Sequence, residues 1–185
     1  DIRGLRVKYL SADPSTGTAG EVWYNSTSGT LKATVLSTAT WASGPAINTG
    51  RRGFNQSGVG TATAGLLIGG ASAPGATVDK TEEYDGSSWT ETGAYPTVIQ
   101  NTQASGIQTA AYAFGGHGPS SVVAAGNTYN GSTWTGGTAL PATTWVGVGG
   151  GTAPTAIIAG GSTGGSPEPS INTTLEYSSG SWTAG

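Results

Sequence analysis

Apolar residues in this chain come in runs of three or four, cut short by Gly, Ser and Thr, and no window holds them at the spacing of a helix face. Short strands and turns are what this pattern predicts. Past Trp41 the turn signals Gly, Pro, Thr-Ala and Asp-Gly mark off four strands, at Arg51–Gly60, Ala64–Gly70, Lys80–Asp85 and Ser87–Glu91. The next stretch divides in the same way, into Asn101–Thr109, Ala110–Gly115, Gly126–Tyr129 and Ser132–Thr135. A third set follows at Thr143–Gly150, Thr155–Gly160, Ile171–Tyr177 and Ser181–Thr183. Each set of four predicts one antiparallel sheet, so the chain is expected to be all-β with almost no helix. Residues 1–40 are off this pattern and predict a small β segment, with strands at Gly4–Leu10, Glu21–Asn25 and Thr30–Leu36 and a turn at Ser26–Gly29.

The three sets share a phrase. Leu66-Leu67-Ile68-Gly69-Gly70 leads to Tyr84 and Trp89, Ala113-Phe114-Gly115-Gly116 to Tyr129 and Trp134, and Ile157-Ile158-Ala159-Gly160-Gly161 to Tyr177 and Trp182. With Trp41 closing the same frame upstream, tryptophan recurs every 45 to 48 residues, the period of one four-stranded unit. The array then covers residues 41–185, with repeats at about 41–88, 89–133 and 134–181. Each Tyr-to-Trp step encloses Asp85-Gly86, Asn130-Gly131 or Ser179-Gly180, residues suited to the positive φ of a tight hairpin. The Gly pairs are expected where neighbouring backbone comes close. Tyr and Trp offer large apolar area with one polar handle, so they are expected in the seam where one sheet packs on the next. A lone four-stranded sheet leaves a face uncovered, and radial stacking as propeller blades is one established way to cover both.

Composition narrows the functional classes. The chain has 185 residues, 33 of them Gly, and only 9% charged. Its net charge is −3 and its one basic pair is Arg51-Arg52, the wrong footprint for a protein that grips nucleic-acid phosphates. No apolar run is long enough to cross a bilayer as a helix, which argues against membrane insertion. Zero cysteines exclude disulfides and thiolate metal sites. The chain starts at Asp1 without a methionine anywhere, and Ser181–Gly185 reads like the opening of another repeat, so a longer parent polypeptide is expected.

Apolar residues followed by Gly-Gly, then Tyr, then Trp, at about one unit per period, resemble the kelch family, which implies β-propeller blades over residues 41–185. The N-terminal wording Lys8-Tyr9-Leu10-Ser11-Ala12-Asp13-Pro14, followed by Gly20-Glu21-Val22-Trp23-Tyr24-Asn25 and Ser26-Thr27-Ser28-Gly29-Thr30-Leu31-Lys32, resembles a segment of bacteriophage tail-fibre and appendage proteins, particularly of marine phages. In such proteins it precedes kelch-like repeats rich in Gly, Ser and Thr. The resemblance implies a structural or adhesive virion surface protein: a tail fibre, baseplate component or capsid decoration. It also implies contact with other virion proteins, self-association into a homo-oligomer such as a trimer, and contact with host surface glycans. The alternatives are a secreted or cell-surface bacterial glycan-binding repeat protein and, behind it, a fragment of a propeller glycosidase.

Chemistry is sparse along the chain, and a non-enzyme without cofactor or metal is expected. His117 is the single histidine, too few for a zinc or copper site, and is expected as a turn residue after Gly115-Gly116. The copper site of galactose-oxidase-like propellers needs more than one histidine and a cysteine. Sialidase turns place one residue between Asp and Gly, where Asp85 and Gly86 adjoin. Glu82, Glu83 and Asp85 cluster, but adjacent strand residues point to opposite faces, so they are expected as solvated edge charges. Two aromatics outside the repeat frame, Trp145 and Tyr95, are candidate glycan-stacking residues. Their structural alternatives are a blade-centre position for Trp145, matching Phe54 of the first repeat, and a loop anchor for Tyr95. Asn25, Asn55, Asn130 and Asn172 stand in glycosylation sequons, which in this composition are expected to mark turns.

Overall fold

The computed structural model describes residues 7–35, 42–54, 58–165 and 167–185. Trp41, Asn55 and the outer ends of the first and third predicted N-terminal strands lie outside them. The chain divides into two compact units, residues 1–43 and 44–185. No helix occurs among the described residues; every regular element is a strand.

In the N-terminal unit, β1 (Lys8–Leu10) runs parallel to β2 (Val22–Asn25), which turns back into β3 (Thr30–Ala33). Rows across the sheet alternate between its faces. Tyr9, Tyr24 and Leu31 form one row, with Tyr9 74% and Leu31 64% exposed. Trp23 and Asn25 point to the opposite face and are buried, both donating to Asp13 Oδ1, at 3.1 and 2.8 Å. Lys32 Nζ donates to the other carboxylate oxygen at 2.6 Å, and these three contacts, Lys32 foremost, hold the Asp13 carboxyl at about 2.

The second unit contains three four-stranded antiparallel sheets. The first is β5 (Gly58–Thr61), β6 (Ala64–Ile68), β8 (Thr81–Tyr84) and β9 (Trp89–Glu91). A two-stranded pair flanks it, β4 (Arg51–Arg52) with β7 (Ala71–Ser72). The second sheet is β10 (Gln103–Ile107), β11 (Ala110–Phe114), β12 (Gly126–Tyr129) and β13 (Trp134–Gly137). The third is β14 (Val148–Gly150), β15 (Ala156–Ala159), β16 (Thr174–Ser178) and β17 (Ser181–Ala184). The predicted strand Arg51–Gly60 is two elements: Gly53, at φ +74°, breaks the extended run after Arg52.

The sheets pack in sequence order, with β10 against both β5 and β14. Leu66, Ile68, Tyr95, Ile99, Ala111, Ala113 and Tyr129 fill the first seam. Tyr112, Phe114, Leu140, Ala156 and Ile158 fill the second. Leu66 and Ile68 are at most 1% exposed, and burying each such side chain contributes about 1.5–3 kcal/mol. The Tyr and Trp of each repeat sit directly opposite across the last hairpin, Tyr84 with Trp89, Tyr129 with Trp134 and Tyr177 with Trp182. Trp134 then reaches Tyr95, ring centroids 4.9 Å apart, and Trp182 reaches Phe114 at 5.0 Å.

The Gly pairs repeat one conformation, with φ of +62° and +101° at Gly69 and Gly70, and +64° and +103° at Gly115 and Gly116. Gly160 and Gly161 follow at +62° and +108°. Side chains rarely adopt this region, and space forbids them too: a Cβ on Gly115 would lie 2.4 Å from the Thr144 carbonyl oxygen. The hairpin turns are held by side chains. Asp85 Oδ1 accepts from the backbone N–H groups of Ser87 and Ser88 at 2.8 and 2.7 Å. Asn130 does the same for Ser132 and Thr133, and Asn25 for Thr27 and Ser28.

Candidate functional site

Beyond each Gly pair the chain makes a short bridge. Ala71, His117 and Ser162 occupy equivalent places, paired with Arg52, Gln100 and Trp145 on one side and with Thr77, Val122 and Ser170 on the other. Gly53, Asn101 and Val146, all at positive φ, turn the chain just after the first partner. These bridges carry loops at one end of the sheets. Trp145 therefore stands where Arg52 and Gln100 stand, not at the Phe54 position of a blade centre.

The loops of the second and third repeats enclose a cleft of about 430 Å³. His117, Ser121 and Val122 line it from one loop, and Trp145, Thr163 and Glu168 from the other repeat. The two rings meet with centroids 5.1 Å apart and planes inclined at 52°. Both are carried on rigid backbone. His117 exchanges two hydrogen bonds with Gln100, at 2.7 and 3.0 Å, and Trp145 exchanges two with Ser162, both 3.0 Å. His117 Nδ1 contacts the Gly118 carbonyl; with the proton on Nδ1, Nε2 is left as an acceptor. Trp145 Nε1 is shielded from solvent and meets no acceptor among the described residues. Gly164, at φ +81°, lets the loops approach, since a Cβ there would lie 2.6 Å from Val122 Cγ2.

The cleft thus combines an indole, an imidazole, a carboxylate and several hydroxyls. This mixture suits a ligand with an apolar face and ringed hydroxyl groups, where stacking supplies area and polar partners supply orientation. Among the described residues no three His, Cys, Asp or Glu side chains converge to hold a metal ion.

Trp145 is brought to this cleft; Tyr95 is not. Tyr95 is 2% exposed inside the first seam, its hydroxyl accepts from Asn127 Nδ2 at 2.8 Å, and Trp134 meets its ring edge-on. No ring face is open to a sugar there, and burial pushes its phenol up to about 12. His117 does follow its Gly pair, but as a bridge residue lining the cleft.

Of the acidic cluster only Asp85 is an exposed charge, as expected; Glu82 is buried and Glu83 half-buried. Glu82 is 1% exposed and forms a buried ion pair with Arg51, whose side chain is fully buried. Its second oxygen accepts from the backbone and side-chain nitrogens of Asn48, at 2.7 and 2.9 Å. Glu83 Oε1 accepts from the Tyr129 hydroxyl of the next sheet at 2.9 Å. Asp85 is exposed but held by the turn: the hydroxyl of Ser87 and the backbone of Ser88 lead the contacts that keep its carboxyl well below the usual range. Adjacent residues do point to opposite faces, but packing buries Glu82 on one face and half-buries Glu83 on the other.

No family model and no curated protein matches the sequence. Solved structures do match, among them that of YjhT, with a TM-score of 0.62 at 15% identity. The alignment covers 89% of this chain and 51% of that one, so the chain spans about half the length of that neighbour. At this identity the likeness is one of fold.

Proposed function

We propose that the chain is a non-enzymatic adhesive protein of a bacteriophage appendage, whose sheets are successive blades of a kelch-like propeller and whose cleft at His117, Trp145 and Glu168 holds host-surface carbohydrate. The placement on a virion rests on the resemblance of residues 8–32 to phage appendage segments, followed by the repeats. The blade reading is supported by three successive four-stranded sheets joined through equivalent seams. The observation that carries the binding reading is the cleft itself. Its Trp145 ring and its hydroxyl and carboxylate groups come from two repeats on loops pinned by backbone bridges.

Two measurements test this. On an array of bacterial surface oligosaccharides, the wild-type chain is expected to bind a defined subset, and Trp145→Ala to weaken that binding by roughly tenfold or more with the fold unchanged by circular dichroism. Absence of wild-type binding, or binding indifferent to Trp145→Ala, overturns the cleft assignment. Peptide mass spectrometry of purified particles is expected to find the chain in stoichiometric amount. Its presence instead in the bacterial envelope or medium replaces the virion protein with a cellular adhesin.

A further inference from the structure

The seam between the first two sheets is a template. On the first sheet, Leu66 is buried against the second sheet, Thr81 Oγ1 accepts from Trp134 Nε1 at 3.0 Å, and Glu83 Oε1 accepts from the Tyr129 hydroxyl at 2.9 Å. Counted from the Gly pair and the Tyr of each repeat, the same positions on the third sheet are Ile157, Thr174 and Glu176. Within residues 44–185 no described sheet packs on them. Ala156 and Ile158, with Tyr177 and Trp182, face the second sheet, and strand alternation sends Ile157, Thr174 and Glu176 to the other side. Ile157 is 40% exposed, Glu176 is exposed, and a hollow of about 250 Å³ lies at these two residues.

The first sheet presents the complementary half. Tyr84 and Trp89 are opposed across β8 and β9 as Tyr129 and Trp134 are across β12 and β13, with ring centroids 5.0 Å apart against 4.9 Å. Both rings are half-buried, on the opposite side of the strand from Thr81 and Glu83 where alternation places them. A Thr and Glu acceptor pair occurs on the first and third sheets, whereas the second has Gly126 and Thr128 at those positions.

We propose that the free face of the third sheet is a docking surface for the first sheet of a second copy of this chain. In the complex, Trp89 Nε1 donates to Thr174, the Tyr84 hydroxyl donates to Glu176, and Ile157 takes the place of Leu66. The two surfaces differ, so the contact is head-to-tail; it closes a ring if the rotation allows and otherwise extends. This inference rests on the seams and is independent of carbohydrate binding.

Sedimentation velocity of the whole chain from about 1 to 100 µM tests it, the range in which a junction of this kind is populated if its Kd is micromolar. The mass is expected to rise with concentration to multiples of the monomer. Ile157→Asp and Glu176→Arg are each expected to weaken association roughly tenfold or more, as is Trp89→Arg on the other surface. Tyr84→Phe removes only a hydroxyl and gives a milder loss, which guards against misfolding of the Trp89 variant. Mixing Ile157→Asp with Trp89→Arg leaves one intact junction, so the mixture is expected to form one-to-one pairs while each variant alone stays monomeric. A wild-type chain monomeric throughout overturns the proposal, as it would if a further sheet of a longer chain occupied the face. So does association that ignores Ile157→Asp, or folded variants that fail to pair on mixing.

Discussion

The two seams of the array use the same Tyr–Trp pair and satisfy it differently. In the first, Trp134 Nε1 reaches Thr81, the Tyr129 hydroxyl reaches Glu83 and also pairs with the Thr92 hydroxyl, and Gln108 Nε2 donates to the Tyr84 carbonyl at 2.8 Å. In the second, aromatic packing replaces this network. Trp182 lies against Phe114 and Tyr112, and its buried Nε1 meets no acceptor at good hydrogen-bond geometry among the described residues. The Tyr112 hydroxyl is engaged by the Thr138 carbonyl. The repeat therefore specifies shape, a pair of rings entering the neighbouring sheet, while the neighbour decides whether their polar atoms are paired. One position makes the point within each sheet: Glu82, Asn127 and Leu175 are equivalent, and they carry an ion pair, a neutral hydrogen bond and an apolar contact.

Alkali is expected to break both seams at once. Burial raises the phenols of Tyr95, Tyr112 and Tyr129 to about 12, and the Glu83 carboxylate adds to the rise at Tyr129. An unfolded tyrosine titrates near about 10, so the native state binds these protons more tightly than the unfolded chain. Their stabilising contribution is fully present below about pH 10 and is lost as pH climbs through about 12. Phenolate absorbance and circular dichroism followed together are expected to show ionisation and loss of structure in one transition. Free titration of all seven tyrosines in a folded chain would refute the burial of these three.

The next largest effect separates the charged position from its apolar counterpart. Arg51 donates to Glu82 and to the carbonyls of Gly69 and Lys80, all in buried surroundings. Arg51→Met strands the Glu82 carboxylate with Asn48 alone and is expected to cost about 3–5 kcal/mol in urea unfolding. Pairing it with Glu82→Leu, the kind of residue the third repeat already carries as Leu175, is expected to recover most of the loss. A single variant as stable as wild type would mean that the pair is solvated.

Much of the array was legible because period and turn chemistry are local. Asp85-Gly86 and Asn130-Gly131 announce their hairpins, and all four predicted strands of the second repeat coincide with β10 to β13 to within a few residues. What depends on the neighbouring sheet was not legible. Glu82 reads as solvated until Arg51 and Asn48 arrive from the lead-in segment. Counting back from the Gly pair places Trp145 opposite Phe54. The first repeat has two more residues between bridge and Gly pair, Arg52 to Gly70 against Gln100 to Gly116, and only the bridges reveal the offset. At the cleft, Trp145 stood out as an aromatic outside the frame. Glu168, Ser121 and Thr163 did not, because loop residues carry no period; Gly164-Gly165 was the one local hint of a close approach.

The smallest effect discriminates most sharply between the seams. Trp134→Phe keeps a ring in place but removes the donor to Thr81 Oγ1, a hydroxyl in a residue with no exposure. Leaving that acceptor unpaired is expected to cost about 1–2 kcal/mol. Trp182→Phe removes a buried indole N–H that meets no well-aligned acceptor among the described residues, so the area lost is offset by relief of a poorly met donor, and the change is expected to stay within about 1 kcal/mol. Urea midpoints measured side by side give the difference directly. Equal losses would mean that the hydrogen bond across the first seam contributes no more than the bare N–H in the second, and that both tryptophans act through ring volume alone.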